Sequence, residues 1–334
     1  MMLYLIVFAA VCVVIIIIFL ISNSLYREEI SNLSKRCVFI TGCDTGFGNL
    51  LACTLDAKGV SVIAGCLTEK GARDLDIKTS SRLKTVIVDI TDQTSVRKAY
   101  EFTSEQTKDT GLWGVVNNAG IMPTYAPTEW TTLEEFERAC KVNLFGTVSV
   151  TLAFLPLLRQ SRGRLVNVCS VTSNCGYPGL SNYVVSKAGV KMFTSCVRRE
   201  LLHTGVTAHT IEPGGFKTNI TDKHRLFDIL LKAYQRAEPD AQKCYGGDIS
   251  RYLIGGIKNT AKYVSTRPQN VADTMAHALL AKYPKCRYLV GPDAHLFFRL
   301  MSYLPERAVD YILGWPAPYG TLCPELKESR LLTN

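Results

Sequence analysis

The chain has 334 residues, of which 47% are hydrophobic and 20% charged, which describes one large packed domain with appendages. Its net charge of +9 is spread along the sequence, not gathered into a run, which excludes a basic nucleic-acid-binding stripe and suits contact with anionic lipid headgroups. The twelve cysteines contain no Cys-x-x-Cys pair, and the five histidines show no metal-ligand spacing, so a disulfide framework and a bound metal are both unsupported.

Met2 to Ser22 carries no charge, and Val11 to Ile21 is almost wholly aliphatic. About 20 apolar residues suffice to cross a hydrocarbon core of ~30 Å, so the sequence predicts an N-terminal transmembrane anchor over residues 1–24, followed by a linker over 25–35. A cleaved signal peptide would show a basic start and a shorter apolar stretch. Arg27, Lys35 and Arg36 follow the span, which orients the rest of the chain to the cytosol, although Glu28 and Glu29 sit among them. Asn32-Leu-Ser34 and Asn219-Ile-Thr221 are glycosylation triplets that would matter only in a secretory lumen.

From Arg36 onward strand alternates with helix. Arg36–Thr41, Val60–Ala64, Leu83–Val88, Gly114–Val116, Arg164–Val168 and Val206–Ile211 read as buried strands, with Cys286–Val290 as the last. Helices are expected over Phe47–Leu55, Ser95–Lys108, Leu133–Arg159 with a break near Asn143, Ser181–His203, Arg225–Ala237 and Val271–Lys282. Such alternation argues for an α/β fold of Rossmann type, a doubly wound parallel sheet covered on both faces. Residues 216–267 are long, mixed and apolar in places (Phe216, Ile220, Leu226, Phe227, Leu230, Tyr234), as expected of a lid over a binding site. The tail from His295 to Trp315 reads either as an amphipathic membrane-surface segment or as a helix pair closing the pocket.

Gly42, Gly46 and Gly48 lie between a strand and a helix, where glycines allow a tight turn and the helix N-terminus attracts a pyrophosphate. Asp89 and the stretch Asn117-Asn-Ala-Gly120 fall at later strand ends, the edge at which open α/β sheets bind ligands. The plainer roles for these residues are that Asp89 caps the next helix, with Thr91 the better cap, and that Asn117 pins adjacent strands. Tyr183 and Lys187 are four apart, on one face of a helix, and the positive charge would favour ionised tyrosine.

In this order Thr41-Gly-x-x-x-Gly-x-Gly48, Asn117-Asn-Ala-Gly120, Asn143, Ser170, Tyr183-x-x-x-Lys187 and Pro213-Gly214 with Thr218 resemble the short-chain dehydrogenase/reductase family. The wording Gly42-Cys-Asp-Thr-Gly-Phe-Gly48, Gly111-Leu-Trp-Gly and Ile211-Glu-Pro-Gly-Gly is similar to its branch of membrane-bound retinol dehydrogenases and oxidative 17β-hydroxysteroid dehydrogenases. The resemblance implies a catalytic domain over 36–292 and a pocket-closing or membrane-surface segment over 293–334. It implies catalysis by Ser170, Tyr183, Lys187 and Asn143, with Ser170 and Tyr183 touching the substrate oxygen. Gly42, Asp44, Thr45, Gly46, Phe47, Gly48, Asp89, Asn117, Ala119, Gly120, Tyr183, Lys187, Pro213, Gly214 and Thr218 would hold the dinucleotide. The substrate would be a steroid or retinoid alcohol and the location the endoplasmic reticulum membrane; a homodimer through the long helices is implied by analogy.

Cys66, Leu67 and Thr68 at the end of the second strand offer neither the carboxylate often found in the family's NAD enzymes nor a phosphate-binding arginine. The lack of a phosphate clamp, with Thr45 where the family's NADP enzymes often carry a basic residue and with the branch resemblance, makes NAD the expected cofactor over NADP. Two alternatives are a catalytically silent dinucleotide-binding membrane protein and a mitochondrial short hydroxy-acid dehydrogenase. The second would need an Arg-rich presequence that is not there.

Overall fold

A computed structural model describes residue 4 and residues 28–245 and 264–314. The expected anchor (apart from Tyr4), the first residues of the linker, the middle of the expected lid and the last twenty residues lie outside the described residues.

Seven strands form one sheet in the order β3-β2-β1-β4-β5-β6-β7, every pairing parallel. They are β1 (Cys37–Thr41), β2 (Ser61–Cys66), β3 (Leu83–Ile87), β4 (Gly114–Asn117), β5 (Arg164–Val168), β6 (Thr207–Pro213) and β7 (Arg287–Val290). Parallel strands need covered crossovers, and both faces of this sheet are buried. Alternate residues serve different layers: Val38 and Ile40 pack into one core cluster and Phe39 into the other, as do Val62 and Ala64 against Ile63. That is why each strand reads in sequence as a continuous apolar run.

One layer holds α1 (Gly46–Ala57), α2 (Glu69–Asp76) and α8 (Gln269–Leu280); the other holds α3 (Gln93–Thr107), α4 (Leu133–Ser161) and α5 (Ser181–Glu200). The short α2 was not singled out by apolar periodicity. It starts because the Thr68 hydroxyl accepts from the Gly71 N–H at 3.0 Å, a side-chain cap. The cap of α3 is Asp92, not Thr91, since the Asp92 carboxylate accepts from Thr94 N. The expected break near Asn143 is a π-turn over Cys140–Gly146 inside an otherwise continuous α4.

Among the described residues α4 alone is long and apolar enough to cross a bilayer, yet its Val150, Phe154 and Leu158 are fully buried against the sheet. It is a core helix. Over the C-terminal ends of the strands lie α6 (Lys223–Arg236) and α7 (Pro239–Cys244), which with Met122, Ala126 and Trp130 form a third apolar cluster. A turn over Ala294–Met301 and helix α9 (Glu306–Gly314) follow β7.

At the opposite edge, Ile30 N donates to Leu280 O at 2.8 Å and Lys282 N to Glu28 O at 2.7 Å, so residues 28–30 run beside the end of α8. Trp113 Nε1 and Arg164 Nη1 donate to the Leu279 and Ala278 carbonyls of the same helix end.

The Phe39 and Phe154 rings stack at 4.4 Å between sheet and α4, with neither exposed. Phe154→Ala should cost about 3–5 kcal/mol, read as a lowered urea midpoint with an unchanged slope.

Candidate active site

The sheet order reverses between β1 and β4, and the crevice that such a switch opens lies at their C-terminal ends. Here two chain segments come unusually close. A Cβ on Gly42, whose φ is +71°, would stand 2.8 Å from Ala119 Cα, and one on Gly48 would meet Asn118 Nδ2 at 2.4 Å and Gly42 O at 2.6 Å. Only glycine fits either position. Thr41 Oγ1 accepts from both Asn118 N and Ala119 N at 3.1 Å, and Asn118 Nδ2 donates to Thr41 O and Gly42 O.

Helix α1 begins at Gly46 behind Thr45, whose side chain makes no capping hydrogen bond. Its first N–H groups are therefore free of a side-chain acceptor, which fits a pyrophosphate at this turn. Phe47 is packed edge-on against Phe216 at 5.9 Å, and Asn219 Nδ2 donates to Thr45 Oγ1 at 3.2 Å. These contacts bring Thr218 to the glycine turn: a Cβ on Gly46 would lie 4.0 Å from Thr218 Cγ2. Pro213 ends β6, and Gly214 leaves no room for a side chain, because a Cβ there would fall 2.1 Å from Asp293 Oδ1. Asp293 also accepts from Gly215 N at 2.7 Å, fixing this loop from beyond β7.

Three other residues on the expected cofactor list make hydrogen bonds within the protein itself. Asn117 donates to Thr151 Oγ1 at 3.0 Å and Asn167 Oδ1 at 2.8 Å, so its side chain pins β4 to β5 and α4. Asp44 accepts from Leu67 N, Thr68 N and Thr68 Oγ1, tying the glycine turn to the end of β2. Asp89 is exposed at the end of β3 and accepts from Thr91 N and Oγ1 at 2.8 Å in a local turn.

The expected catalytic residues gather at the end of β5. Ser170 follows the strand and caps the short turn Val171–Asn174, accepting from Thr172 N at 3.2 Å and Thr172 Oγ1 at 2.9 Å. Helix α5 presents Tyr183 and, one turn on, Lys187, whose ammonium donates to Val168 O at 2.8 Å. Asn143 is fully buried; it donates to Ile121 O and Ser186 Oγ, and its Oδ1 accepts from Ile121 N at 2.8 Å. A Cβ on Gly120 would stand 3.2 Å from Asn143 Oδ1 and 3.3 Å from Lys187 Nζ, so this glycine lets the β4 end reach both.

Burial pushes the Tyr183 phenol up to about 12, with interaction with Ser170 pulling the other way, and pushes the Lys187 ammonium down to about 8. The expected depression of the tyrosine does not arise from the protein's own groups, because desolvation outweighs an ammonium that stands 5.9 Å from the ring centre. Any further lowering has to come from positive charge brought into the cleft.

Sequence reasoning missed the polar framework behind these groups. Glu212, fully buried, accepts two bonds from Arg287 at 2.7 Å and one from Asn174 Nδ2 at 2.7 Å. Asn174 belongs to the Ser170 turn, and its Oδ1 receives Lys191 Nζ and Arg287 Nη2, so β6, β7 and α5 all brace that turn. The glutamate before Pro213 was the available signal. Of the apolar residues in the expected lid, Phe216 joins the sheet core, while Leu226 and Leu230 join the cluster of Met122 and Trp130 that Tyr183 borders.

A seven-stranded parallel sheet with a glycine turn at its switch point and a Ser-Tyr-Lys group beside it defines a dinucleotide-dependent oxidoreductase. The family model described as short chain dehydrogenase matches residues 36–228, and the chain belongs to that family. It is 44% identical to retinol dehydrogenase 7 of Rattus norvegicus, over 86% of this chain and 91% of the relative. With 17-beta-hydroxysteroid dehydrogenase type 6 of Homo sapiens it shares 43% identity, over 87% and 92%. Among solved structures, a short-chain dehydrogenase from Streptomyces avermitilis superposes with a TM-score of 0.65 at 21% identity, covering 90% of this chain and 99% of its own. The protein is a short-chain oxidoreductase of the retinol and 17-beta-hydroxysteroid dehydrogenase branch, and it binds a nicotinamide dinucleotide.

Lys187 binds fewer protons folded than unfolded between about pH 8 and its ordinary 10.5, so this group adds stability as pH rises through that window. Lys187→Met should therefore raise the melting temperature at pH 7 and flatten its rise above pH 8, measured by circular dichroism across pH.

Proposed function

We propose that the protein interconverts a hydroxyl and a carbonyl on a steroid or retinoid, with NAD as its cofactor and Tyr183 as general base. The observation that carries this reading is the convergence of Ser170, Tyr183 and Lys187 at the end of β5, with the ammonium held by a main-chain carbonyl and by no carboxylate among the described residues. A neutralised lysine would not act on the phenol; this one keeps its charge facing it.

When bound, the nicotinamide supplies the hydride acceptor or donor. Tyr183 takes the substrate hydroxyl proton at its phenolic oxygen, and Ser170 donates to the same substrate oxygen as charge develops there. Lys187 holds the tyrosinate, and Asn143 fixes Ser186 and the main chain of Ile121 beside it on the path by which protons return from solvent. Gly42, Thr45, Gly46, Phe47 and Gly48 would hold the pyrophosphate, Asp89 the adenine end, and Ala119, Gly120, Pro213, Gly214 and Thr218 the nicotinamide end. Asn117 supports them by pinning β4.

Asp44 favours NAD. Its carboxylate sits at the end of β2, where the adenosine ribose lies in such folds, and a 2′-phosphate there would face its negative charge, with no arginine bonded to Asp44 among the described residues. The wall of Met122, Trp130, Leu226 and Leu230 beside Tyr183 suits a rigid apolar substrate, in keeping with relatives named for retinol and for hydroxysteroids. The apolar stretch Met2–Ser22 supports anchoring in the endoplasmic reticulum membrane with the catalytic domain in the cytosol. Exposed Phe145, Leu152, Val185 and Met192 on α4 and α5 suit a homodimer through these helices.

Tyr183→Phe should lower NAD-linked oxidation of retinol, estradiol or androstanediol at least about 100-fold while NAD affinity, read by fluorescence quenching, stays within twofold. Retained turnover removes the general base. Asp44→Asn should narrow the NAD over NADP preference by on the order of tenfold in kcat/KM; an unchanged ratio would place discrimination elsewhere.

A further inference from the structure

Two adjoining clefts of about 280 and 420 Å³ open at the N-terminal ends of β1, β2 and β3, on the opposite edge of the sheet from the catalytic residues. Lys35, Arg36 and Thr110 line both, and Arg82, Lys84 and Ser81 line the larger; no carboxylate among the described residues lines either. Three carboxylates on this edge are paired, Glu28 with Lys282 at 2.9 Å, Glu29 with Lys58 at 2.8 Å and Asp56 with Arg82 at 3.6 Å, while Asp109, next to Thr110, is exposed and lines neither cleft. Lys84 donates to Gln106.

Lys35 and Arg36 are different. Neither side chain has a hydrogen-bond or ion-pair partner among the described residues, and Arg36 Nε is buried without an acceptor. The Arg36 guanidinium is nevertheless fixed, because it lies on the Trp113 ring at 3.9 Å from the centroid. A desolvated guanidinium edge with no acceptor costs free energy that an anion would recover.

We propose that this groove binds the phosphate group of an anionic membrane lipid. Arg36 and Lys35 would hold the phosphate oxygens, with the Thr110 and Ser81 hydroxyls beside them. The lipid source follows from the sequence: the uncharged stretch ends at Ser22, and the six residues from there to Glu28 reach at most roughly 20 Å, so a chain anchored by that stretch holds this edge against the headgroups. The proposal concerns neither the cofactor nor the substrate and stands apart from the oxidoreductase reading.

The test uses the full chain in dodecyl maltoside micelles, titrated with dihexanoyl phosphatidic acid and followed by calorimetry and tryptophan fluorescence. Saturable binding is expected, with dihexanoyl phosphatidylcholine and inorganic phosphate each at least tenfold weaker. Lys35→Glu, at an exposed position that does not hold the fold together, should weaken phosphatidic acid at least tenfold, and Arg36→Met should do the same with an unchanged circular dichroism spectrum. Absence of saturable binding, equal binding of inorganic phosphate, or an affinity indifferent to Lys35→Glu would each overturn the proposal.

Discussion

Placing an ammonium inside protein costs several kcal/mol unless its protons meet acceptors, and a carboxylate neighbour is the usual remedy. Lys187 is buried beside the Val168 carbonyl, a dipole that offers a lone pair but no compensating charge. The arrangement fixes much around it. β5 has to end where its carbonyl is free, α5 has to start so that Tyr183 and Lys187 lie on one stripe, and the chain leaving β4 has to be glycine at 120 to come within reach. The burial of Lys187 is tolerated because the apolar layers on both faces of the sheet supply the stability.

The same economy runs through the polar residues of the cleft. Asn117, Asp44 and Glu212 all sit at strand ends, yet each uses its side chain to hold protein. Glu212 is the strongest case: one buried carboxylate gathers an arginine from β7 and an asparagine from the Ser170 turn, so that turn is braced from β6, β7 and α5. Position near a site and participation in its chemistry are separate properties, and hydrogen-bond partners separate them.

The sequence made the alternation of elements legible because strands buried on both faces need unbroken apolar runs, and six strands from β1 to β6 can be placed within a few residues on that signal. Glycines at 42, 46 and 48 were legible for a similar reason, since 42 and 48 stand too close to their neighbours for a side chain and 46 has a φ of +68°. Helix α2 was hidden: eight residues over Glu69–Asp76 are too few for a period, and its start rests on one threonine hydroxyl. The π-turn was read only as a break, because an extra residue in a turn leaves no compositional mark. Apart from Thr210 beside Glu212, the partners of Asn117 and Glu212 lie 34 to 75 positions away along the chain, beyond any local pattern. The tyrosine's raised pKa was missed for a related cause, since spacing reports the nearby charge and says nothing of desolvation.

The junction at the end of α8 sets where the folded unit begins. Its last carbonyls are capped in trans, by Trp113 just before β4, by Arg164 from β5 and by the Ile30 amide, while Lys282 and Glu28 join across their backbones. Residues 28–30 thus belong to the domain even though the family match starts only at residue 36. A truncation that keeps this junction begins no later than Glu28; one at the family boundary would strip two backbone partners from that helix end and leave Lys58 and Lys282 without their counter-ions.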